Sequence, residues 1–274
     1  MIDSDHRHRP CVLVFAGLDP SGGAGIQADI QAISAAGAHA LPVVTTLTVQ
    51  DNDRVQAIHP VDAGILQAQV GMLREKIPVA AVKIGITGSA ENVAVIAEAI
   101  RALRAADASL PVVLDPVLAS GHGDALSRAD PVQLLQPLLS LTTLLTPNLP
   151  EAVRLCDGEA MPEKQAQRLL QQVPQLLIKG GHGATDTITN TWFSRAGTGS
   201  SARSWQWSRL PGGFHGSGCT LASAIAGRLA CGLTIADAID QAQIWVQQAL
   251  ASAYAIADGQ KIPQRAMDCF QETS

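Results

Sequence analysis

Val12-Leu-Val-Phe-Ala16, then Gly17-Leu-Asp-Pro-Ser-Gly-Gly-Ala-Gly25, then Ile26, Ile30 and Ile33 at helical spacing, is the stretch that decides the fold. The unbroken apolar run reads as a strand buried on both faces, the Gly/Pro-rich stretch as a loop, and the isoleucines as one face of a helix ending near Gly37. The same order recurs along the chain. Leu41 to Val49 is a β-branched second strand, and Asp62 caps a helix carrying Ile65, Leu66, Val70 and Leu73. Val79 to Ile86 returns as a strand, Ser89 caps a helix through Val93, Ile96, Ile100 and Leu103, and Pro111–Asp115, Leu144–Thr146 and Leu176–Lys179 are further strands. This is an α/β pattern: a central, mostly parallel sheet with helices on both faces, of the kind that binds ligands beyond the carboxyl ends of its strands. Asp51–Ile58, Thr187–Phe193 and Arg203–Ser208 break the pattern and read as extra antiparallel strands or a small flap. From Gly216 the chain reads as helical, with a long segment from Ile235 through Trp245 to Ile256.

The 274 residues, 47% hydrophobic and 16% charged, suit a protein that folds on its own core, and no charged or Gly/Ser/Pro-rich linker divides them. A single domain over 1–274 is expected, with 1–10 as a mobile tail. Nineteen Lys+Arg against 24 Asp+Glu give a net charge of −5, and 4 Trp, 4 Phe and 1 Tyr leave little for stacking on bases, so no nucleic-acid partner is expected. Neither a signal-peptide segment nor an apolar run long enough to cross a membrane is evident, which reads as a cytoplasmic protein with no membrane association. Cys11, Cys156, Cys219, Cys231 and Cys269 are odd in number and scattered, without a Cys-x-x-Cys pair, and read as reduced thiols.

Chemistry concentrates in a few segments. Phe214-His-Gly-Ser-Gly-Cys-Thr220 opens a helix with small residues, leaving the backbone N–H groups of Gly216, Ser217, Gly218 and Cys219 uncovered where the helix dipole favours an anion. The dipole there also favours a Cys219 thiolate, a candidate base or proton relay, although a glycine-rich helix start with an inert buried cysteine fits as well. The loop 16–25 has neither a P-loop nor a dinucleotide fingerprint, but its glycines permit close backbone approach to a small ligand, or merely a tight turn. Asp29, one turn into its helix, faces either ligand or solvent. Asn148 and Glu151, at a strand end, suit magnesium held partly through water, or equally an N-cap with its capping-box Glu. Lys179, followed by Gly180 and Gly181, ends another strand as a phosphate contact or a surface lysine, and Asp115 is a polar ligand group or a turn residue.

Taken together, Ala-Gly-Leu-Asp-Pro-Ser-Gly-Gly-Ala-Gly-Ile-Gln-Ala-Asp (16–29), Thr-Val-Gln-Asp (48–51), Val-Leu-Asp-Pro-Val (113–117), Leu-Thr-Pro-Asn-Leu-Pro-Glu-Ala (145–152), Ile-Lys-Gly-Gly-His (178–182) and His-Gly-Ser-Gly-Cys-Thr (215–220) resemble the hydroxymethylpyrimidine/phosphomethylpyrimidine kinases of thiamine biosynthesis. The resemblance runs collinearly from about residue 11 to 257 and implies a ribokinase-like fold. It also implies Mg²⁺-ATP-dependent phosphorylation of 4-amino-5-hydroxymethyl-2-methylpyrimidine and then of its monophosphate. By position it makes Gln50 the pyrimidine reader, Ala24 and Asp29 substrate-loop residues, and Val117 and Ile86 pocket wall. Asn148 and Glu151 become the magnesium-associated pair, Lys179 an ATP contact, and 216–219 an anion hole, with Cys219 where sugar-kinase relatives carry a catalytic Asp. A carboxamide at Gln50 offers donor and acceptor to an aminopyrimidine edge. Ile86 and Leu118 stand where the family commonly has Met, which leaves pyridoxal as an alternative alcohol on the same scaffold. A non-catalytic pyrimidine sensor is a further alternative, which would need neither Cys219 nor the Asn148/Glu151 pair. Relatives are commonly dimers, so a homodimer is the expectation by analogy.

Overall fold

The computed structural model describes residues 8–124, 126–127, 129–183, 185–196 and 199–266. Along the chain these form β1 (Cys11–Leu18), α1 (Gly25–Ala35), β2 (His39–Gln50), β3 (Val55–Pro60), α2 (Ala63–Lys76), β4 (Val79–Ile84), α3 (Ala90–Ala106) and β5 (Val112–Leu114). There follow α4 (Pro131–Leu139), β6 (Leu144–Leu145), α5 (Leu149–Leu155), α6 (Pro162–Leu169), β7 (Gln175–Ile178), β8 (Thr187–Ala196), β9 (Gly199–Ser208), α7 (Ser217–Ala230) and α8 (Ile235–Ala251). All strands join one 9-stranded sheet in the order β3-β2-β1-β4-β5-β6-β7-β8-β9. The pairs from β2 across to β7 are parallel, while β3, β8 and β9 pair antiparallel and form the two edges. The stretches expected to form a flap are therefore sheet edges.

Side chains leaving β1 alternately reach two separate cores. Leu13 and Phe15 join the core beneath α2, α3, α4, α5 and α6, whereas Val12, Val14 and Ala16 join the core beneath α1, α7 and α8. With both faces covered, the central strands carry apolar residues without alternation, which is the pattern of Val12–Ala16. Helix starts follow their caps: Asp62 accepts from the amides of Gly64 and Ile65 at 2.9 and 3.2 Å, and Ser89 from that of Asn92 at 3.2 Å.

Two expectations need revision. The last long helix stops at Ala251 rather than Ile256, because Tyr254 pairs with Ile262 and the Gln264 amide bonds the Ala249 carbonyl at 2.9 Å, so the chain turns back on itself. Of the expected tail, residues 1–7 lie outside the described residues, but the Pro10 carbonyl already accepts from the His39 amide at 2.8 Å. Cys11, Cys156, Cys219 and Cys231 are free, and Cys269 lies outside the described residues. No described helix is long and apolar enough to cross a membrane.

The sheet order reverses between β1 and β4, where α1 lies on one face and α2 on the other, so a crevice opens at the carboxyl ends of these strands. Behind it α1 and α7 meet at glycine: a Cβ on Gly227 would sit 2.6 Å from the Ala36 Cβ. Gly227→Val should destabilise the protein by about 1–3 kcal/mol despite removing a helix glycine, because overpacking outweighs propensity. A denaturation midpoint equal to that of the wild type would contradict this contact.

Candidate active site

The crevice holds a cavity of about 460 Å³ lined from β1, β2, Ile86 beyond the end of β4, the strand ends at Asp115 and Lys179, and the start of α7. Its most polar wall is built from two loops packed backbone against backbone. In the first, Asp19 accepts from the Ser21 amide and hydroxyl at 2.8 and 2.9 Å and from the Ala24 amide at 2.7 Å, which folds residues 19–24 into a tight turn. In the second, Gly216 takes φ of 72° ahead of α7 and contributes no side-chain cap. A side chain at Gly216 would collide with the Gly23 carbonyl, and one at Gly23 with the His215 ring. The loops also share a polar contact, His215 Nε2 lying 2.8 Å from Asp19 Oδ2. Burial alone would raise the Asp19 pKa; hydrogen bonds from His215, Gln50 and Ser21 more than reverse it and hold the carboxylate well below the usual range.

The consequence is a cup of main-chain donors. Ser217, Gly218 and Cys219 occupy the first turn of α7, where amides have no intrahelical partner, and no acidic side chain stands there to neutralise the dipole. Opposite the cup is Lys179, whose Nζ would lie 3.1 Å from a Cβ placed on Gly218. Its ammonium bonds Asp115 Oδ1 at 2.7 Å, and Asp115 is 2% exposed. Burial would lower the Lys179 pKa, but Asp115 and Glu151 outweigh it and keep the ammonium charged. Amides on one side and an ammonium on the other describe a receptor for a phosphoryl group.

Asn148 and Glu151 form a complete capping box at the start of α5, with 2.8 Å bonds in both directions. The two residues also line the cavity, so the cap and the site coincide. Asn148 Oδ1 accepts from the Glu151 amide, Glu151 Oε2 from the Asn148 amide and Asp115 Oδ1 from Lys179 Nζ, and all three side chains line this wall, the two carboxylates carrying its negative charge. Burial pushes Glu151 up to about 7, with Asp115 adding to the rise and Lys179 opposing it. Among the described residues no group of three or more His, Cys, Asp or Glu forms a metal site. Magnesium needs only one or two carboxylates when phosphates and water complete its octahedron. Glu151 and Asp115 fit that limited role.

Cys219 lines the cavity at the end of the cup, as do Ala24, Gln50, Ile86 and Val117. Burial pushes the Cys219 thiol up to about 11, against the pull of Lys83 and the Gly25 amide. Of the two readings left open for Cys219, the burial of its thiol favours the neutral one. Asp29 also departs from expectation. It is fully buried, does not line the cavity, and receives Lys83 Nζ at 2.8 Å on both oxygens and the Ser223 hydroxyl at 2.6 Å. Burial pushes the Asp29 carboxyl up and Lys83 pulls it back; contacts to both oxygens are those of an ion pair supporting the site from behind. Leu118 is buried and likewise does not line the cavity, leaving Ile86 as the Met-position departure that does.

Lys83 and the Asp19–His215 contact join the site only in the folded chain. A lysine inside Val79-Ala-Ala-Val-Lys-Ile84 was the available signal, since a charge in a strand buried on both faces requires a partner. The loop 51–55 lines the cavity and is tied down at both sides: Arg54 bonds Asp124 with 2.5 and 3.1 Å contacts, and Asn52 donates to the carbonyls of Asp258 and Gln260 at 3.0 and 3.1 Å.

A parallel sheet with a glycine-rich cup and a facing ammonium at its switch point defines a small-molecule kinase of the ribokinase-like fold. The comparisons agree. A solved phosphomethylpyrimidine kinase from Clostridium difficile superposes with a TM-score of 0.73 at 29% identity, covering 88% of this chain and all (100%) of that one. The pyridoxal kinase of Staphylococcus aureus, solved in complex with AMP-PCP and pyridoxal, shares the fold with a TM-score of 0.80 at 24% identity over 94% and 93% of the two chains. A hydroxymethylpyrimidine/phosphomethylpyrimidine kinase from Mycobacterium tuberculosis is 40% identical over 262 residues, 91% of each chain. Residues 19–264 match the phosphomethylpyrimidine kinase family, and the chain belongs to it.

Two measurements test the electrostatics. A carboxyl raised in the fold stabilises fully below its unfolded value of 4.5 and loses that contribution as pH climbs to about 7. Between pH 4.5 and 8 the ligand-free wild type should therefore lose about 3 kcal/mol relative to Glu151→Gln, which keeps the cap. Parallel denaturation profiles for the two proteins would refute the raised carboxyl. In iodoacetamide mapping at pH 8, the Cys219 peptide should label at least about tenfold more slowly than that of exposed Cys231, because the thiolate is the reactive form. Faster labelling at Cys219 would restore the thiolate.

Proposed function

We propose that this protein transfers the γ-phosphoryl group of ATP to the hydroxymethyl oxygen of 4-amino-5-hydroxymethyl-2-methylpyrimidine, and then to the resulting monophosphate, as a kinase of thiamine biosynthesis. The observation that carries this reading is the cup of Ser217, Gly218 and Cys219 amides facing the Lys179 ammonium inside one cavity that also contains Gln50. Family membership supplies the substrate class, and the cup supplies the chemistry.

In the reaction the amides and Lys179 stabilise charge gathering on the equatorial oxygens of the transferring group. Glu151 and Asp115 would hold magnesium, which would supply neutralisation of the phosphate charge. Gln50, which lines the cavity near Asp19, presents its carboxamide to the amino group and ring nitrogen of the pyrimidine. Ala24, Val117 and Ile86 enclose the ring. A loose transition state requires little removal of the acceptor proton before the bond to phosphorus is well formed. A neutral Cys219 thus serves by orienting the hydroxyl through a hydrogen bond. Free thiols and ATP dependence both suit the cytoplasm as the place of action.

Pyridoxal is a second acceptor favoured by one observation, that Ile86 rather than Met lines the cavity. The ratio of kcat/KM for the two alcohols separates them, and the pyrimidine is expected to lead. ADP release on adding hydroxymethylpyrimidine and Mg²⁺-ATP is the direct test; its absence would refute the proposal. Cys219→Ala should lower kcat about 100-fold, and Cys219→Ser, which still hydrogen-bonds, should recover to within about tenfold of the wild type. Full turnover by Cys219→Ala would remove Cys219 from the mechanism.

A further inference from the structure

Arg265 is the largest fully buried side chain in the described protein, at 2% exposure. It enters from the segment after α8, which is fastened by pairing of Lys261 with Phe214, of Ile262 with Tyr254, and of the Gln264 amide with the Ala249 carbonyl. Its Nε donates to Thr220 Oγ1 at 2.8 Å, Nη2 to the carbonyls of Gly23 and His215 at 2.5 and 3.3 Å, and Nη1 to Gln31 Oε1 at 3.4 Å. All four acceptors are neutral, and among the described residues no carboxylate lies within ion-pair distance of it.

A guanidinium cannot shed its charge, and burying one on neutral acceptors is costly; the Asp29 and Asp19 carboxylates offset part of that cost from beyond hydrogen-bond reach, and an anion in the cup would offset more. The acceptors show where that anion belongs. Gly23 comes from one cup loop, and His215 and Thr220 from the other; Thr220 in turn donates to the Gly216 carbonyl at 2.7 Å. One side chain therefore draws the carbonyls of both loops away from the cavity, directly and through Thr220. The amides of 217–219 are left to face inward.

We propose that Arg265 is the positioning residue of the phosphoryl site: it locks the two glycine loops together from behind and places a buried positive charge behind the anion they receive. The inference deepens the kinase reading and rests on the cup being the phosphoryl site. It also explains why a segment beyond the last long helix is woven back between Phe214 and Tyr254.

The test compares wild type, Arg265→Met and Arg265→Lys in affinity for AMP-PCP and for AMP by calorimetry, and in kcat and KM. The wild type should prefer AMP-PCP over AMP. Arg265→Met should lower that preference about tenfold while leaving AMP affinity and the pyrimidine KM within about twofold, with kcat reduced tenfold or more. Arg265→Lys, which keeps the charge but loses the fork, should retain the preference and still lose kcat. A folded Arg265→Met with unchanged preference and kcat would overturn the inference, as would an Arg265→Lys protein equal to wild type in kcat. If Arg265→Met does not fold, Arg265→Lys decides alone. A wild type that binds AMP-PCP preferentially yet releases no ADP with the pyrimidine would overturn the proposed reaction and leave Arg265 in place.

Discussion

The structure depends on the contact between two glycine loops at the carboxyl edge of the sheet. The turn built on Asp19 and the turn ahead of α7 touch through Gly23 and Gly216, main chain against main chain. Only without side chains can they approach so closely, and only at that separation do the first amides of α7 open onto the cavity. Lys179, Cys219 and Gln50 line the cavity around this contact, and Arg265 bonds the carbonyls of both loops.

The site is surrounded by buried charge, and each charge is placed by a different part of the fold. Asp115 holds Lys179, Asp29 holds Lys83, and Asp19 meets His215. Buried pairs of this kind add little net stability, since desolvation consumes most of the Coulomb attraction. Their value here is fixed geometry and a field prepared before the nucleotide arrives. The raised Glu151 and the neutral Cys219 thiol belong to the same picture, since both groups are desolvated by walls shaped for a ligand.

Much of the architecture was legible because it is local. Val12–Ala16, Asp62 and Ser89 announce their elements through runs and caps whose physics is confined to a few residues. The helix at Pro131–Leu139 was not assigned, since Pro137 interrupts its pattern, and neither was that at Pro162–Leu169. The end of α8 was misread because what stops it is pairing with residues after it. At the site, Gln50, Ala24, Ile86, Val117, Asn148, Glu151, Lys179 and 216–219 do converge on one cavity. Asp29 was misplaced because one turn of helix carries it beneath the loop, where its partner Lys83 is distant in sequence. For Asn148 and Glu151 the cap and the ligand wall were posed as alternatives, whereas one geometry serves both. Arg265 offered no signal: a single arginine near a chain end resembles any solvated one until its neighbours are known.

The Arg54–Asp124 pair has its own consequence. The Arg54 side chain is solvated while that of Asp124 is largely buried, so the pair is only partly open to screening by salt. Arg54 belongs to the cavity wall and Asp124 does not, so a wall residue is anchored by a carboxylate outside the cavity, and dissolved electrolyte loosens that anchor without reaching the ion pairs buried within.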